Sequence, residues 1–182
     1  MTPLCELAKK YGTDKYHPHH YTEYYYGMLS PRRNTVKRLV EIGIRTGASL
    51  RMWRDFFPNA EIIGIDRNEK YLFSEPRITC YQASQAKAVK LGQLCTNIGG
   101  NFDIIIDDGS HIPDKQISAF GAMLPYLRPD GIYFIEDIRG AGDVERIQHC
   151  VPPSHSSSVF VGKKPLPKHG HEKMLIIWQN KI

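Results

Sequence analysis

From residue 36 onward, apolar positions come in short continuous runs rather than in alternation. The runs are VKRLVEIG (36–43), EIIGID (61–66), RITCYQ (77–82), FDIIIDD (102–108), GIYFIED (131–137), SSVFVG (157–162) and KMLIIWQ (173–179). Continuous runs of this length suit strands covered on both faces. Helical spacing falls between them. ASLRMWRDFF (48–57) puts Leu50, Trp53, Phe56 and Phe57 on one side. QASQAKAVKLGQLCTNI (82–98), PDKQISAFGAMLPYL (113–127) and DVERIQHCV (143–151) predict three more helices. Alternating strand and helix implies an α/β chain with a Rossmann-like, doubly wound, mostly parallel sheet and helices on both faces. The final two runs are joined by KKPLPKHGHE (163–172), which carries no helical pattern, so they predict an antiparallel pair. Residues 1–35, with aromatics crowded into YTEYYYGML, lie outside the alternation. They read as a helical preface over one sheet edge or over the site, ahead of a core at 36–182.

Length and charge narrow this picture. The chain has 182 residues, a size for one domain, and is 41% hydrophobic with Gly 15 and Pro 12, which excludes collagen, coiled coil and wholesale disorder. No apolar run reaches the ~18 residues needed to span a bilayer. MTPLCELAKKYGTDK lacks an apolar signal core. Cys5, Cys80, Cys95 and Cys150 form no CxxC, so four reduced thiols in a cytoplasmic protein are expected. The balance of 24 Lys+Arg against 19 Asp+Glu leaves +5. The basic residues are scattered, so the surface reads as mildly basic rather than as a nucleic-acid face. His17, His19 and His20, like His169 and His171, read as solvated loop histidines rather than a metal cluster.

The first candidate chemistry lies where run one ends, in Glu41-Ile42-Gly43-Ile44-Arg45-Thr46-Gly47. Glycines let the backbone turn tightly, and the following helix aims amide hydrogens at a ligand. GxxxG is an incomplete dinucleotide fingerprint. Asp66 ends the second run, 23 residues after Gly43, where an acidic side chain can accept both hydroxyls of an adenosine ribose. No GxxxxGK[ST] is present, which leaves an NAD-type cofactor or S-adenosylmethionine. A terminal antiparallel hairpin favours the latter.

The strongest signal is Asp107-Asp108-Gly109-Ser110-His111 after run four, followed by Glu136-Asp137 after run five. Neighbouring strand tips lie ~5 Å apart, so these acids crowd one edge and repel. A divalent cation resolves the conflict, and all-oxygen ligands point to Mg²⁺, Mn²⁺ or Ca²⁺ rather than zinc. His111, three residues beyond Asp108, is placed to act as a general base near neutral pH.

Taken in order, LAKKYGTDK, HHYTEYY, EIGIRTGASLRMWRDFFPNAEIIGID, FDIIIDDGSH and LRPDGIYFIEDI resemble the metal-dependent class I O-methyltransferases of the macrocin and mycinamicin sugar type, from about residue 7 to 138. The resemblance implies a seven-stranded sheet with an antiparallel last strand. It implies S-adenosylmethionine held around Glu41, Gly43, Gly47, Ser49, Asp66, Arg67, Gln82, Ser84, Gln85 and Asp107. It implies Mg²⁺ (or Mn²⁺) on Asp108, Glu136 and Asp137, with His111 and Asp108 at the chemistry. Tyr11, Thr13 and Lys15 of YGTDK, with Tyr21, look like a lid over cofactor and acceptor. Tyr11, Tyr21, Tyr24, Tyr25 and Tyr26 are candidates to stack on a sugar or shield a sulfonium, and equally to pack a core.

Two departures bear on function. Relatives carry Gly-Asp where this chain has Ala83-Ser84, and a His- or Thr-containing stretch where it has Ile138-Arg139-Gly140-Ala141. The second segment, with Arg139, shapes the acceptor pocket, so the acceptor is not copied from the family. The large N-terminal extension of the macrolide-sugar enzymes has no counterpart before residue 7, so a homo-oligomer, where formed, need not copy theirs. The expected reaction is methyl transfer to a hydroxyl of a small molecule, one of a vicinal pair on a sugar, with an anionic acceptor suggested by the basic surface. A catechol-type phenol acceptor uses the same chemistry. An NAD-dependent sugar-nucleotide enzyme needs a fuller GxGxxG and a convincing Tyr-x-x-x-Lys pair, and the chain offers neither. A nucleic-acid-binding vestigial domain is disfavoured by scattered charge and by the absence of an Asn/Asp-Pro-Pro-Tyr/Phe motif.

Overall fold

A computed structural model describes residues 1–162 and 173–180. The preface forms two helices, α1 (Pro3–Tyr11) and α2 (Thr22–Leu29). Then come β1 (Arg38–Ile42), α3 (Ala48–Phe56), β2 (Glu61–Asp66), β3 (Ser74–Glu75), β4 (Ile78–Gln82), α4 (Ala88–Asn97) and β5 (Phe102–Asp107). The chain finishes with α5 (Pro113–Met123), β6 (Leu127–Ile138), α6 (Ala141–Gln148), β7 (His155–Val161) and β8 (Lys173–Gln179). The strands make one sheet in the order β3-β4-β2-β1-β5-β6-β8-β7.

The Rossmann-like class expected from the pattern is the one observed, with eight strands instead of seven. The extra strand, β3, is only two residues long and antiparallel to β4, too short to carry a pattern of its own. The terminal pair is antiparallel as expected, β8 running against both β6 and β7. The helix expected from residue 82 starts later, because 83–87 turn at the strand tip instead.

The sheet separates two cores. Leu39, Ile62, Ile104, Ile106 and Phe134 face α1, α2 and α3, where Leu4, Ala8, Tyr25, Leu29, Leu50 and Trp53 meet them. Val40, Ile63, Ile65, Ile105 and Ile135 face α4, α5 and α6. Every one of these side chains is fully buried, each worth about 1.5–3 kcal/mol over an exposed position. The preface is therefore packed into the first core. Tyr25 rests edge-on against Trp53 at 5.1 Å and Phe134 at 4.8 Å. α1 starts on a Thr2 cap to the Cys5 amide and ends at Gly12 in the left-handed region, which releases residues 12–20 to cross the carboxyl edge of the sheet.

The four cysteines are free. No helix among the described residues is long and apolar enough to cross a membrane. His169 and His171 lie outside the described residues.

Candidate active site

β1, β2, β4, β5 and β6 all end on one edge. Asp108 donates its amide to the Ile42 carbonyl and Gly43 donates to Ile65, so the ladder runs one residue past each strand and stacks the loops. Two adjoining cavities open there, of about 440 and 210 Å³, and Gly43, Asp66, Tyr71 and Gly109 line both.

The smaller cavity is bordered by Arg67, Ala83, Ser84, Gln85 and Lys115. Asp66 sits at the junction. Its two oxygens accept the amides of Asn68 (2.9 Å) and Ile44 (3.0 Å), which fixes the carboxylate and leaves further lone pairs for a ligand. Gly43, at φ 99°, passes so close to the next loop that a β-carbon there would overlap the Asp108 carbonyl oxygen. A β-carbon on Gly47 would run into the Phe73 ring. Both glycines are thus required by the protein's own close packing, where the sequence suggested approach of a ligand. Gln85 is spent internally, its amide donating to both Asp107 oxygens (2.6 and 2.7 Å) while its oxygen accepts from the Ser110 amide and hydroxyl. Asp107 is fully buried, and burial pushes its carboxyl up to about 7. It lines neither cavity, and its place is under the loop as a support. Gln82 reaches the Arg67 carbonyl and is likewise outside both linings.

The larger cavity is lined by Thr13, Asp14, His17, Arg45, Thr46, Ser49, Asp108, His111 and Asp137. Asp108, His111 and Asp137 each offer a ligand atom within 4.8 Å of the others. His111 Nε2 is 3.7 Å from Asp137, and its buried Nδ1 has no hydrogen-bond partner. Both His111 and Asp137 take positive φ, 53° and 56°, a region costly for most residues and most tolerated by Asn, Asp and His. The two carboxylates offer the oxygen donors that a hard divalent cation takes, with the imidazole beside them.

Glu136 does not join that trio. Its carboxylate accepts from the Lys15 ammonium at 2.8 and 2.9 Å and from the Tyr25 hydroxyl at 2.5 Å. Asp137, at positive φ where the pairing of β6 with β8 is irregular, lines the cavity, while Glu136 is buried. Glu136 enters the interior, and burial, only partly offset by Lys15, holds it well above the usual carboxylate range. Glu41 is also fully buried, bonded by Trp53 Nε1 at 2.8 Å and 3.3 Å from Lys15. Burial raises its carboxyl as well.

The preface supplies more of this wall than the sequence suggested. Tyr21 is buried and donates to Asp137 at 2.7 Å. His19, expected in solvent, lies 3.6 Å from Asp137 and is 15% exposed. Tyr11 is turned away from both cavities, donating to Asp55 on α3 at 2.5 Å. Arg139 is exposed and lines neither cavity. Tyr71 was missed, because nothing in its local pattern shows that the turn after β2 brings it over both cavities.

A doubly wound sheet with a fixed acid at its second strand tip and an acidic, histidine-bearing cavity beside it defines an α/β cofactor-dependent enzyme fold. A family model described as a methyltransferase domain matches residues 40–138, and the chain belongs to that family. Among curated relatives, mycinamicin VI 2''-O-methyltransferase of Micromonospora griseorubida is 39% identical over 143 residues, covering 74% of this chain and 36% of that protein. An 8-demethyl-8-alpha-L-rhamnosyl tetracenomycin-C 2'-O-methyltransferase of Streptomyces olivaceus is 37% identical, covering 75% and 38%. The chain thus spans well under half the length of the curated relatives it matches. The structure of the MycE methyltransferase from the mycinamycin pathway, in complex with Mg and SAH, superposes with a TM-score of 0.80 at 29% identity over 99% of this chain and 55% of that one. The O-methyltransferase TomG from Streptomyces achromogenes, at 14% identity and TM-score 0.67, shares the fold.

Proposed function

We propose that this chain transfers a methyl group from S-adenosylmethionine to a hydroxyl of a sugar-bearing small molecule, with a divalent cation, Mg²⁺ in the first instance. The carrying observation is the meeting of two cavities at Gly43, Asp66 and Gly109, one bordered by the Asp66 carboxylate and the other by Asp108, His111 and Asp137. The MycE complexes with Mg, SAH and mycinamycin VI, and the sugar O-methyltransferases among the relatives, support this reading.

In this reading Asp66 accepts the ribose hydroxyls, and Arg67, Ala83 and Ser84 border the base. The first turn of α3, at Ala48 and Ser49, faces the larger cavity. Asp108 and Asp137 would hold the cation. When bound, the ion supplies a Lewis acid that lowers the pKa of a hydroxyl it touches. His111, on the wall of the larger cavity, takes the acceptor's proton at its imidazole. Thr13, Asp14 and His17 close the cavity from above and exclude water. Arg45 at its mouth is 79% exposed, though engaged by Asp14 at 2.9 Å, and offers a counter-charge to an anionic acceptor.

The test is calorimetry with S-adenosylhomocysteine and Mg²⁺, followed by a methyl-transfer assay on glycosides and catechols. Binding of both ligands with transfer to a glycoside is expected. Transfer to catechol alone would replace the sugar reading, and no cofactor binding would sink it. His111→Ala should lower the rate at least about a hundredfold with cofactor affinity little changed. An unchanged rate would remove His111 as base.

A further inference from the structure

α5 buries one stripe, Gln116, Ala119, Phe120 and Met123, at the spacing of a helix face turned to a core. The first position of that stripe holds an amide where the pattern asks for an apolar residue. Gln116 is fully buried, and its Nε2 donates to the Glu136 carbonyl at 2.9 Å. Its Oε1 has no hydrogen-bond partner among the described residues. A buried polar atom left unpaired costs stability. Packing of α5 therefore does not account for the glutamine, and the bond to Glu136 does.

That bond falls at the irregular tip of β6. Ile135 pairs with Leu175 and Ile138 with Lys173, so β6 takes three steps against two on β8 and carries one extra residue. The register with β5 ends at Ile135. Glu136 and Asp137 lie in the gap, Asp137 at φ 56°. A bulge of this kind disrupts the ladder and re-aims a side chain, here Asp137 onto the wall of the larger cavity. Gln116 itself sits in the first turn of α5, its own amide donating at 3.0 Å to the carbonyl of Ile112, the residue after His111. Asp108, His111 and Asp137 thus come from two segments of chain, and Gln116 fastens one segment to the other.

We propose that Gln116 is a positioning residue for the divalent site. Its amide holds the backbone of the β6 bulge against the loop that carries Asp108 and His111, and so sets the geometry in which the acids of the two strand tips meet the ion. This inference rests on the metal-dependent reading above and extends it to a side chain that lines neither cavity. Loss of an outer partner of this kind costs roughly ten- to a hundredfold in metal affinity or activity.

The test titrates Mn²⁺ against wild type, Gln116→Met, Gln116→Asn and Met123→Ala, counting free ion by electron paramagnetic resonance. Calorimetry on the metal-free proteins gives S-adenosylhomocysteine affinity. Gln116→Met keeps the length of the side chain and removes the donor, while Gln116→Asn keeps the donor and withdraws it by one methylene. Met123→Ala opens a cavity at the far end of the same stripe and reports what weakened packing does by itself. Both variants at position 116 should bind Mn²⁺ at least about tenfold more weakly than wild type, with S-adenosylhomocysteine affinity and near-UV circular dichroism little changed. Met123→Ala should bind Mn²⁺ as wild type does. Wild-type Mn²⁺ affinity in folded Gln116→Met, or in Gln116→Asn where the first does not fold, overturns the proposal, while binding by wild type keeps the metal reading. An equal loss of Mn²⁺ binding in Met123→Ala, or a matching loss of S-adenosylhomocysteine binding at position 116, overturns it too, because the effect is then one of packing. Failure of both position-116 variants to fold makes Gln116 structural and likewise ends the proposal. Absence of Mn²⁺ binding in wild type sinks the metal reading and this inference together.

Discussion

At the scale of single residues, the site depends on side chains locked by neighbours rather than on free functional groups. Asp66 shows this well, because two backbone amides hold it before any ligand arrives. Asp66→Asn keeps one acceptor oxygen and loses the charge. It should weaken S-adenosylhomocysteine binding about tenfold, the scale of one hydrogen bond to a charged group, and calorimetry showing unaltered affinity would refute the ribose contact. Gly43 tests the opposite property. A methyl there must displace the Asp108 backbone, since its carbon would overlap that carbonyl oxygen. With φ at 99° besides, Gly43→Ala should cost about 2 kcal/mol or more in urea unfolding, together with loss of Mn²⁺ binding through the shifted Asp108. A stability equal to wild type would mean that the two loops can part freely.

Between elements, the join of α1 to α3 adds an electrostatic part to its apolar packing, and that part carries its own pH signature. Asp55 on α3 accepts from Tyr11 at 2.5 Å, Lys10 at 3.0 Å and Arg54 at 3.0 Å. Burial opposes its charge, yet those three bonds prevail and bring its carboxyl down to about 2 from 3.8. A carboxyl lowered on folding stabilises the fold fully above its unfolded value and loses that contribution as pH falls through its folded value. Partial exposure trims the effect to about 1 kcal/mol. Asp55→Asn should therefore be less stable than wild type near neutral pH, and urea midpoints measured toward about pH 2 should converge. A gap that persists in acid would assign the effect to shape instead of charge. This junction also marks how far the sequence could be read. Apolar runs gave six of the eight strands within about two residues of their observed ends, because two-sided burial demands continuous hydrophobicity. β6 began earlier, at Leu127, its first turn being carried by Arg128, Pro129 and Asp130, which look like a loop. Asp108, His111 and Asp137 were legible as acids and a histidine at strand tips. That Glu136 turns inward to Lys15 was not, since it depends on the irregular tip of β6 and on a segment more than a hundred residues away.

At the scale of the whole molecule, the open question is whether residues 1–29 form a movable cover or part of the body. A cover must leave without exposing core, and its opening should cost little. Here Leu4, Cys5, Ala8, Tyr21, Tyr25 and Leu29 are all fully buried, and all but Cys5 belong to the same apolar cluster as Trp53, Phe56 and Phe134. Removing them would bare one face of α3 and of the sheet, and would also strip Tyr25 and Lys15 from the buried Glu136. Each lost large apolar side chain costs several kcal/mol by itself, against a total stability of about 5–15 kcal/mol for a domain. Deletion of residues 1–29 should accordingly abolish the cooperative unfolding transition and the near-UV signal, and the product should bind a hydrophobic dye. A truncated chain that melts cooperatively would show that the preface is a separable layer. The short crossing at residues 12–20 is the exception. Thr13, Asp14 and His17 line the cavity, and Asp14 meets exposed Arg45. The preface thus borders the cavity through that strap, and Lys15, buried at its middle, ties the strap to the acids of the strand tips.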